Sequence, residues 1–254
     1  MKHALAGAMD QNYYTPLHLA VLHGQTSTVE QLLMNRASME AMDQNNRTPL
    51  HLAALRGQIS TVEQLLMNGA STEARDKNRN TPLHLAVWKG HTDVAEILLD
   101  CSASIGAMNR FRNTPLHLAT WNGHPDMTAL LLKNGSDWDA LNCLGNSPLH
   151  IAASKGHTGV VEILLGKGAP LYRRGAGQNT LMHFAARGGY TGTVKLLLEK
   201  DASWFIKATN EKYNTPLYLA LLNGRTDVVE LLLSKGASTR FRNRNNYFPL
   251  HPGV

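Results

Sequence analysis

The 254-residue sequence lacks the features that mark several common protein classes. Its two cysteines, Cys101 and Cys143, are too few for a disulfide scaffold and show no CxxC spacing. No apolar run approaches the roughly 18 residues of a membrane span, and the opening MKHALAGAMD lacks the apolar core of a secretory signal. Glycine and proline, at 21 and 10 residues, show no collagen-like bias, and 43% hydrophobic residues are too many for a disordered chain. These absences predict a soluble protein of a reducing compartment, expected in the cytoplasm or the nucleus.

The sequence does contain one motif that returns at a fixed interval. The string TPLHLA, or a close variant of it, starts at Thr15, Thr48, Thr81, Thr114, Ser147, Thr180 and Thr215, and a partial copy, FPLH, starts at Phe248. The first five intervals are 33 residues long, the next is 35 and the last is 33. A period of this length indicates stacked supersecondary units.

Each unit predicts two short helices. The Thr or Ser is a good N-cap, and the proline that usually follows suits the first helical position, where no N–H donor is needed. A glycine such as Gly57 ends this first helix. A second helix carries an apolar face, as in Val62, Leu65 and Leu66, and an Asp- or Asn-containing turn leads to the next cap.

The seven in-phase copies resemble the ankyrin repeat, whose 33-residue unit carries a TPLHxA signature. The resemblance implies an all-α solenoid of helix-turn-helix units, with β-hairpin-like fingers and a concave groove formed by the fingers and first helices. It also implies a protein-binding module without catalysis. We therefore predict a single ankyrin-repeat domain over residues 1–254, with repeat cores starting near residues 15, 48, 81, 114, 147, 180 and 215 and a partial repeat from 248.

The repeat register accounts for most candidate catalytic groups. Ten of the 12 histidines stand either at the TPLH position or directly after the inter-helix glycine, where we expect them to link repeats by hydrogen bonds. Cys101 and Cys143 fall in different repeats, with no free histidine assigned beside either. We predict no enzymatic activity, no metal site and no cofactor.

Columns that vary between repeats are where a binding site is expected. Trp88 and Trp121 share one such column in adjacent repeats, just before the inter-helix glycine, and Leu55 precedes them in it. Trp is enriched in binding hot spots, although both indoles could instead fold onto their own helices as core. Trp138 and Trp204 occupy a column of apolar residues and are expected to pack beneath the fingers.

The net charge also differs between the fingers and first helices and the rest of the chain. The fingers and first helices contain 14 basic and four acidic residues, a net +10, whereas the remainder carries 11 basic and 15 acidic residues, a net −4. This asymmetry predicts an anionic partner drawn to one face.

The leading interpretation is therefore a monomeric scaffold or adaptor module that binds an acidic or phosphorylated protein segment. The alternative is a receptor for a nucleotide or a single-stranded oligonucleotide, since bases stack on aromatic rings and phosphates bind Lys and Arg. The predicted contact residues are Arg47, Leu55, Arg56, Lys77, Arg79, Trp88, Lys89, Arg110, Phe111, Arg112, Trp121, Asn122 and Lys155.

Two irregular features leave questions open. The 35-residue interval adds two residues between Trp204 and Asn214, which predicts a lengthened finger that is either a second contact or a tolerated insertion. The sequence begins partway through a finger and stops before an eighth helix pair, so we expect a segment of a longer protein, with Val228, Leu231 and Leu232 partly uncovered.

Overall fold

The structure is a computed structural model that describes residues 8–240. The described residues divide into two compact units, one of residues 8–122 and 129–137 and the other of residues 123–128 and 138–240. The prediction of a partial repeat from Phe248 lies outside the described residues, as do Arg242 and Arg244 of the basic set.

Each repeat folds as a helix-turn-helix unit. The first helices are Pro16–Leu22, Pro49–Arg56, Pro82–Lys89, Pro115–Asn122, Pro148–Lys155, Leu181–Gly188 and Pro216–Leu222. The second helices are Thr26–Met34, Ile59–Met67, Thr92–Asp100, Pro125–Lys133, Thr158–Gly166, Thr191–Lys207 and Thr226–Ser234. A 3-10 turn covers Ala176–Gln178, and no strand occurs within residues 8–240. The predicted all-α class is confirmed.

The threonine and histidine of the TPLH motif form a buried capping network. Thr48 precedes its helix in an extended conformation, and its hydroxyl lies 2.9 Å from Nδ1 of His51. The Thr48 backbone N–H donates to the same nitrogen, so Nδ1 is an acceptor and the ring proton is on Nε2. Nε2 then donates to the carbonyl oxygen of Asn80, at the end of the next finger, at 3.0 Å. The predicted link between repeats is confirmed here.

The same bridge joins four other described pairs, and burial keeps these imidazoles neutral. The pairs are His18 with Arg47, His84 with Asn113, His150 with Arg173, and His183 with Asn214. Loss of hydration lowers the pKa of His84, His150 and His183 to about 4, and it lowers the pKa of His18 and His51 in the same direction.

The glycine that ends the first helix is required at Gly57 for two reasons. Its φ of +69° lies in the left-handed region, and a Cβ there would lie 2.6 Å from Nδ1 of His91. The His91 ring occupies that space because its Nε2 donates to the carbonyl oxygen of Leu55 at 3.2 Å. His124 departs from the expectation, since its buried Nε2 makes no hydrogen bond within the described part of the chain.

The core runs along the repeats of each unit. In the first unit, the helix Pro49–Arg56 packs against Pro82–Lys89, and the fully buried Ala53 and Ala86 allow close approach. The second helices add Val62 and Leu65, which are also fully buried. Each repeat is therefore stabilised mainly by its neighbours, as expected for a repeat protein.

The two extra residues near Trp204 are not in a lengthened finger. The second helix of this repeat is 17 residues long, with a break at Asp201, whose carboxylate caps a last helical turn by accepting from the Trp204 N–H at 3.1 Å. Phe205, within this turn, is fully buried. The finger itself closes normally through Asn210 and Asn214. The prediction of a longer finger is wrong because the additional residues pack inside.

Two further expectations about apolar residues can be compared with the structure. Trp204 lies in an aromatic cluster, with ring centroids 4.9 Å from Tyr172 and 4.9 Å from Phe205, so the predicted packing is confirmed. Val228 and Leu232 are fully buried, so the prediction that they are partly uncovered is wrong, whereas Leu231 is half-buried, as predicted.

Candidate functional site

The candidate site lies in the third and fourth repeats, within the first unit. We define the Trp–Arg surface by the residues that these repeats contribute from two fingers and two helix ends, namely Lys77, Arg79, Trp88, Lys89, Arg110, Phe111, Arg112 and Trp121. All eight are exposed.

The two indoles stand at equivalent helix ends. Trp88 is the penultimate residue of Pro82–Lys89, and Trp121 is the penultimate residue of Pro115–Asn122. Their exposed fractions are 40% and 43%, whereas Val87, one residue before Trp88, is fully buried. Each indole is therefore partly packed on the protein and partly exposed to solvent.

Asn122 fixes the two helix ends together. Its side-chain amide donates to the carbonyl oxygen of Trp88 at 3.2 Å and to that of Leu118 at 3.1 Å. Although predicted as a contact residue, Asn122 is half-buried and has this structural role as well. The bond places the backbones that carry Trp88 and Trp121 in adjacent positions.

The finger turns are closed by acidic or amide side chains, as predicted. The Asp76 carboxylate accepts from the N–H groups of Asn78 and Asn80, both at 2.8 Å. Asn109 accepts in the same way from Phe111 and Asn113. These Asx turns leave the intervening residues at the tips.

In both of these fingers, an arginine at the tip has a left-handed backbone conformation. Arg79 has a φ of 61° and Arg112 a φ of 57°, a region that L-residues enter at a cost of about 1 kcal/mol or more. Neither guanidinium makes a hydrogen bond or ion pair with other residues in the range 8–240, and the same is true of the Lys89 ammonium. Three full positive charges are thus available on this surface.

Arg110 and Phe111 form a pair of their own. The Arg110 guanidinium carbon lies 4.8 Å from the centroid of the Phe111 ring, a cation–π distance, and one guanidinium nitrogen donates to the Asn78 side-chain oxygen at 2.9 Å. Asn78 was not predicted as a site residue, and no sequence signal marks it. It holds Arg110 in a defined position while leaving the charge exposed.

Backbone hydrogen bonds join successive fingers of the first unit. The N–H of Lys77 donates to the carbonyl oxygen of Asn45 at 2.9 Å, and that of Arg110 donates to Asn78 at 2.8 Å. The fingers that carry the basic residues are therefore held in fixed register.

Four other predicted residues lie outside the Trp–Arg surface. Arg47 forms an ion pair with buried Asp43 at 2.7 Å and also donates to the Tyr14 hydroxyl, so its charge is already paired. Burial opposes ionisation of Asp43, but hydrogen bonds from Arg47 and the backbone outweigh it and lower the pKa of the carboxyl. Leu55 is half-buried and Arg56 is exposed at the preceding helix end, and half-buried Lys155 belongs to the second unit.

The second helices of the first unit carry the opposite charge. The three that lie wholly within it, Thr26–Met34, Ile59–Met67 and Thr92–Asp100, contain five acidic residues and neither Lys nor Arg. The five are Glu30, Glu63, Asp93, Glu96 and Asp100, and all are exposed. In this unit, the basic residues of the fingers are thus separated from the acidic helices.

Other kinds of site were sought in the same residues. Among residues 8–240, no group of three His, Cys, Asp or Glu side chains is arranged to hold a metal ion. Cys101 and Cys143 are exposed free thiols. None of the helices formed by residues 8–240 is long and apolar enough to cross a membrane.

Helix-turn-helix repeats joined by hydrogen-bonded fingers define a repeat protein. A sequence model of ankyrin repeats in three copies matches residues 17–109, 101–175 and 171–243, so the chain belongs to the ankyrin-repeat family. Ankyrin repeats are generic protein-interaction modules and are typically non-enzymatic. Comparison with curated proteins finds no significant match.

Proposed function

We propose that the Trp–Arg surface binds an acidic or phosphorylated segment of another protein, which would make the chain a non-enzymatic scaffold or adaptor. The observation that carries this proposal is the presence of two half-exposed indoles in the same two repeats as arginines that have no described partner. Each indole leaves on the order of 100 Å² open, and burying that area stabilises a complex by about 2 kcal/mol.

The charges of the surface complement an anionic partner. Arg79, Arg112 and Lys89 are exposed, so binding a carboxylate or phosphate breaks no internal ion pair among the described residues. Guanidinium groups form strong, often bidentate hydrogen bonds with such groups. Because these cations are exposed, their attraction should weaken as salt screens it over roughly 8–10 Å near physiological ionic strength.

A selection from a random peptide-display library tests this proposal. We expect peptides retained by the wild-type chain at 0.05 M salt to be enriched in Asp and Glu and to be lost from Trp88→Ala/Trp121→Ala. Leu222→Ala is the matched control, since Leu222 stands in the same column of the seventh repeat and is 69% exposed. Selected peptides without acidic residues, or peptides held equally by the double variant, would contradict the proposal.

The nucleotide or oligonucleotide alternative uses the same aromatic and basic groups. Against it, the Arg110 guanidinium already covers one face of Phe111, and a stacking base would have to displace it. Titration of tryptophan fluorescence with ATP and with short single-stranded oligonucleotides at low salt distinguishes the two. Quenching that the selected acidic peptides reverse would favour the alternative.

We further infer that residues 1–254 act as a single monomeric domain of the cytoplasm or nucleus. Two exposed free thiols support a reducing compartment. Light scattering that gives 27.9 kDa and one cooperative unfolding transition are the expected results. A dimer, or two separate transitions, would contradict these inferences.

A further inference from the structure

The Trp–Arg surface consists of two copies of one set of groups. Arg79 and Arg112 occupy the same position of consecutive repeats, 33 residues apart, and so do Trp88 and Trp121. Both arginines have nearly the same φ, 61° and 57°, and both indoles are exposed to nearly the same extent. A partner therefore meets one arginine and one indole twice, with a shift of one repeat.

The finger backbones set the length of that shift. Within a finger, the N–H of Asp76 donates to the carbonyl oxygen of Asn80 at 3.0 Å, and between fingers the N–H of Arg110 donates to Asn78 at 2.8 Å. Each repeat therefore spans two distances between hydrogen-bonded backbone segments, one within a finger and one between neighbouring fingers. At about 4.8 Å each, these place equivalent finger atoms about 10 Å apart.

The helices give the same length independently. The helices Pro82–Lys89 and Pro115–Asn122 pack directly against each other, and neighbouring helix axes are about 8–10 Å apart. The hydrogen bond from Asn122 to the Trp88 carbonyl joins their ends. The backbone positions that carry the arginine pair and the indole pair are therefore spaced by about 10 Å.

Few peptide conformations present equivalent side chains on one face at this spacing. In a β-strand, residues on one face are about 7 Å or 13 Å apart, at i, i+2 and i, i+4. In polyproline II, which has three residues per turn and a rise of about 3.1 Å, residues i and i+3 lie on one face about 9 Å apart. An α-helix reaches a similar distance only at i, i+7.

We propose that the Trp–Arg surface recognises a polyproline II segment with carboxylates three residues apart, one for Arg79 and one for Arg112. This inference rests on the proposed function and specifies the register of the partner. Polyproline II segments bind surfaces lined by aromatic side chains because they are extended before binding and lose little entropy. The two indoles supply such a surface, and the two guanidinium groups select the acidic positions.

Fluorescent proline-rich peptides with two glutamates test this register. The series places the second glutamate at i+2, i+3, i+4 or i+5 and includes a helical host peptide with an i, i+7 pair and a peptide with one glutamate. We expect the i, i+3 peptide to bind about tenfold or more tightly than the one-glutamate peptide, and the other pairs to resemble the latter. Tightest binding by the i, i+7 helix would overturn the polyproline II assignment.

Arg112→Gly links the preference to the second arginine. Glycine accepts the φ of 57°, so the variant keeps the turn, and its melting temperature verifies the fold. It should bind the i, i+3 and one-glutamate peptides equally. If every two-glutamate spacing binds equally well to wild type, the register is wrong although the binding function stands. If no acidic peptide binds, the proposed function fails as well.

Discussion

The buried TPLH histidines predict that the protein loses stability steeply under mild acid. Lowering the pH from 7 to 5 is the perturbation. His84, His150 and His183 have a pKa of about 4 in the folded protein because of burial, against about 6.5 when unfolded. A depressed folded pKa gives stability that is fully present above pH 6.5 and is lost as pH falls towards 4.

The size of the loss follows from these values. At pH 5 each of the three histidines contributes about 2 kcal/mol less than at pH 7, so together they remove about 6 kcal/mol. A domain is typically stable by only about 5–15 kcal/mol, so folding becomes marginal. His18 and His51, whose pKa values are also lowered by burial, act in the same direction.

Urea unfolding followed by far-UV circular dichroism at pH 7, 6 and 5 measures this effect. His84→Gln is the informative variant, because a glutamine can both accept and donate hydrogen bonds but does not titrate. We expect a smaller free energy of unfolding at pH 7. We also expect a shallower slope of that free energy against pH between 4 and 6.5, equivalent to about one fewer proton taken up on unfolding. Equal stability at pH 5 and pH 7 in wild type would refute the reasoning.

Three substitutions probe other structural claims. Gly57→Ala should destabilise by more than Gly69→Ala in urea titrations, because both glycines have positive φ but only the first has a histidine ring within 4 Å of the added Cβ; equal losses would contradict this. Arg112→Gly should leave the free energy of unfolding unchanged or raise it by about 1 kcal/mol at most, because it removes a left-handed arginine. A lower free energy of unfolding would assign that side chain a structural role. Phe205→Ala should lower the free energy of unfolding by about 3–5 kcal/mol, measured by calorimetry, whereas Phe111→Ala, at an exposed residue, should lower it by under about 1 kcal/mol. A small loss at Phe205 would contradict the burial of the added residues.

The helical framework could be predicted because its signals are local and occur seven times. Six of the seven motifs combine an N-cap with the histidine that completes it, and six place a proline at the first helical position, so chance agreement is averaged out. The Asp and Asn turns were predictable for the same reason, because a side chain such as Asp76 bonds only to its own finger.

The features that differ between repeats depend on packing, so they could not be predicted from the 33-residue period. The residues added after Trp204 have no counterpart in other repeats, so their location is decided by the burial of Phe205 rather than by register. Val228 and Leu232 were expected to be partly uncovered because no further helix pair follows, but their helix packs against Pro216–Leu222 and Thr191–Lys207, and both side chains are fully buried.

The candidate site was only partly predictable. Register correctly places Trp88 and Trp121 at the ends of adjacent helices, but an amphipathic indole fits a core or a surface, and only the structure gives its exposure. Pairing of Arg47 with Asp43 was within reach of the sequence, since the two residues are four apart across one turn. The contact of Arg110 with Asn78 crosses two fingers and had no such signal.

The central claim is that the two indoles bind a partner rather than stabilise the fold. Isothermal titration calorimetry with one acidic peptide selected on the wild-type chain, compared for Trp88→Ala, Trp121→Ala and the Leu222→Ala control, tests it most directly. We predict that each tryptophan variant binds about 30-fold more weakly, a loss of about 2 kcal/mol, while its melting temperature and the affinity of the control stay near wild type. Unchanged affinity, or a collapse of the melting temperature on removing either indole, would contradict the account.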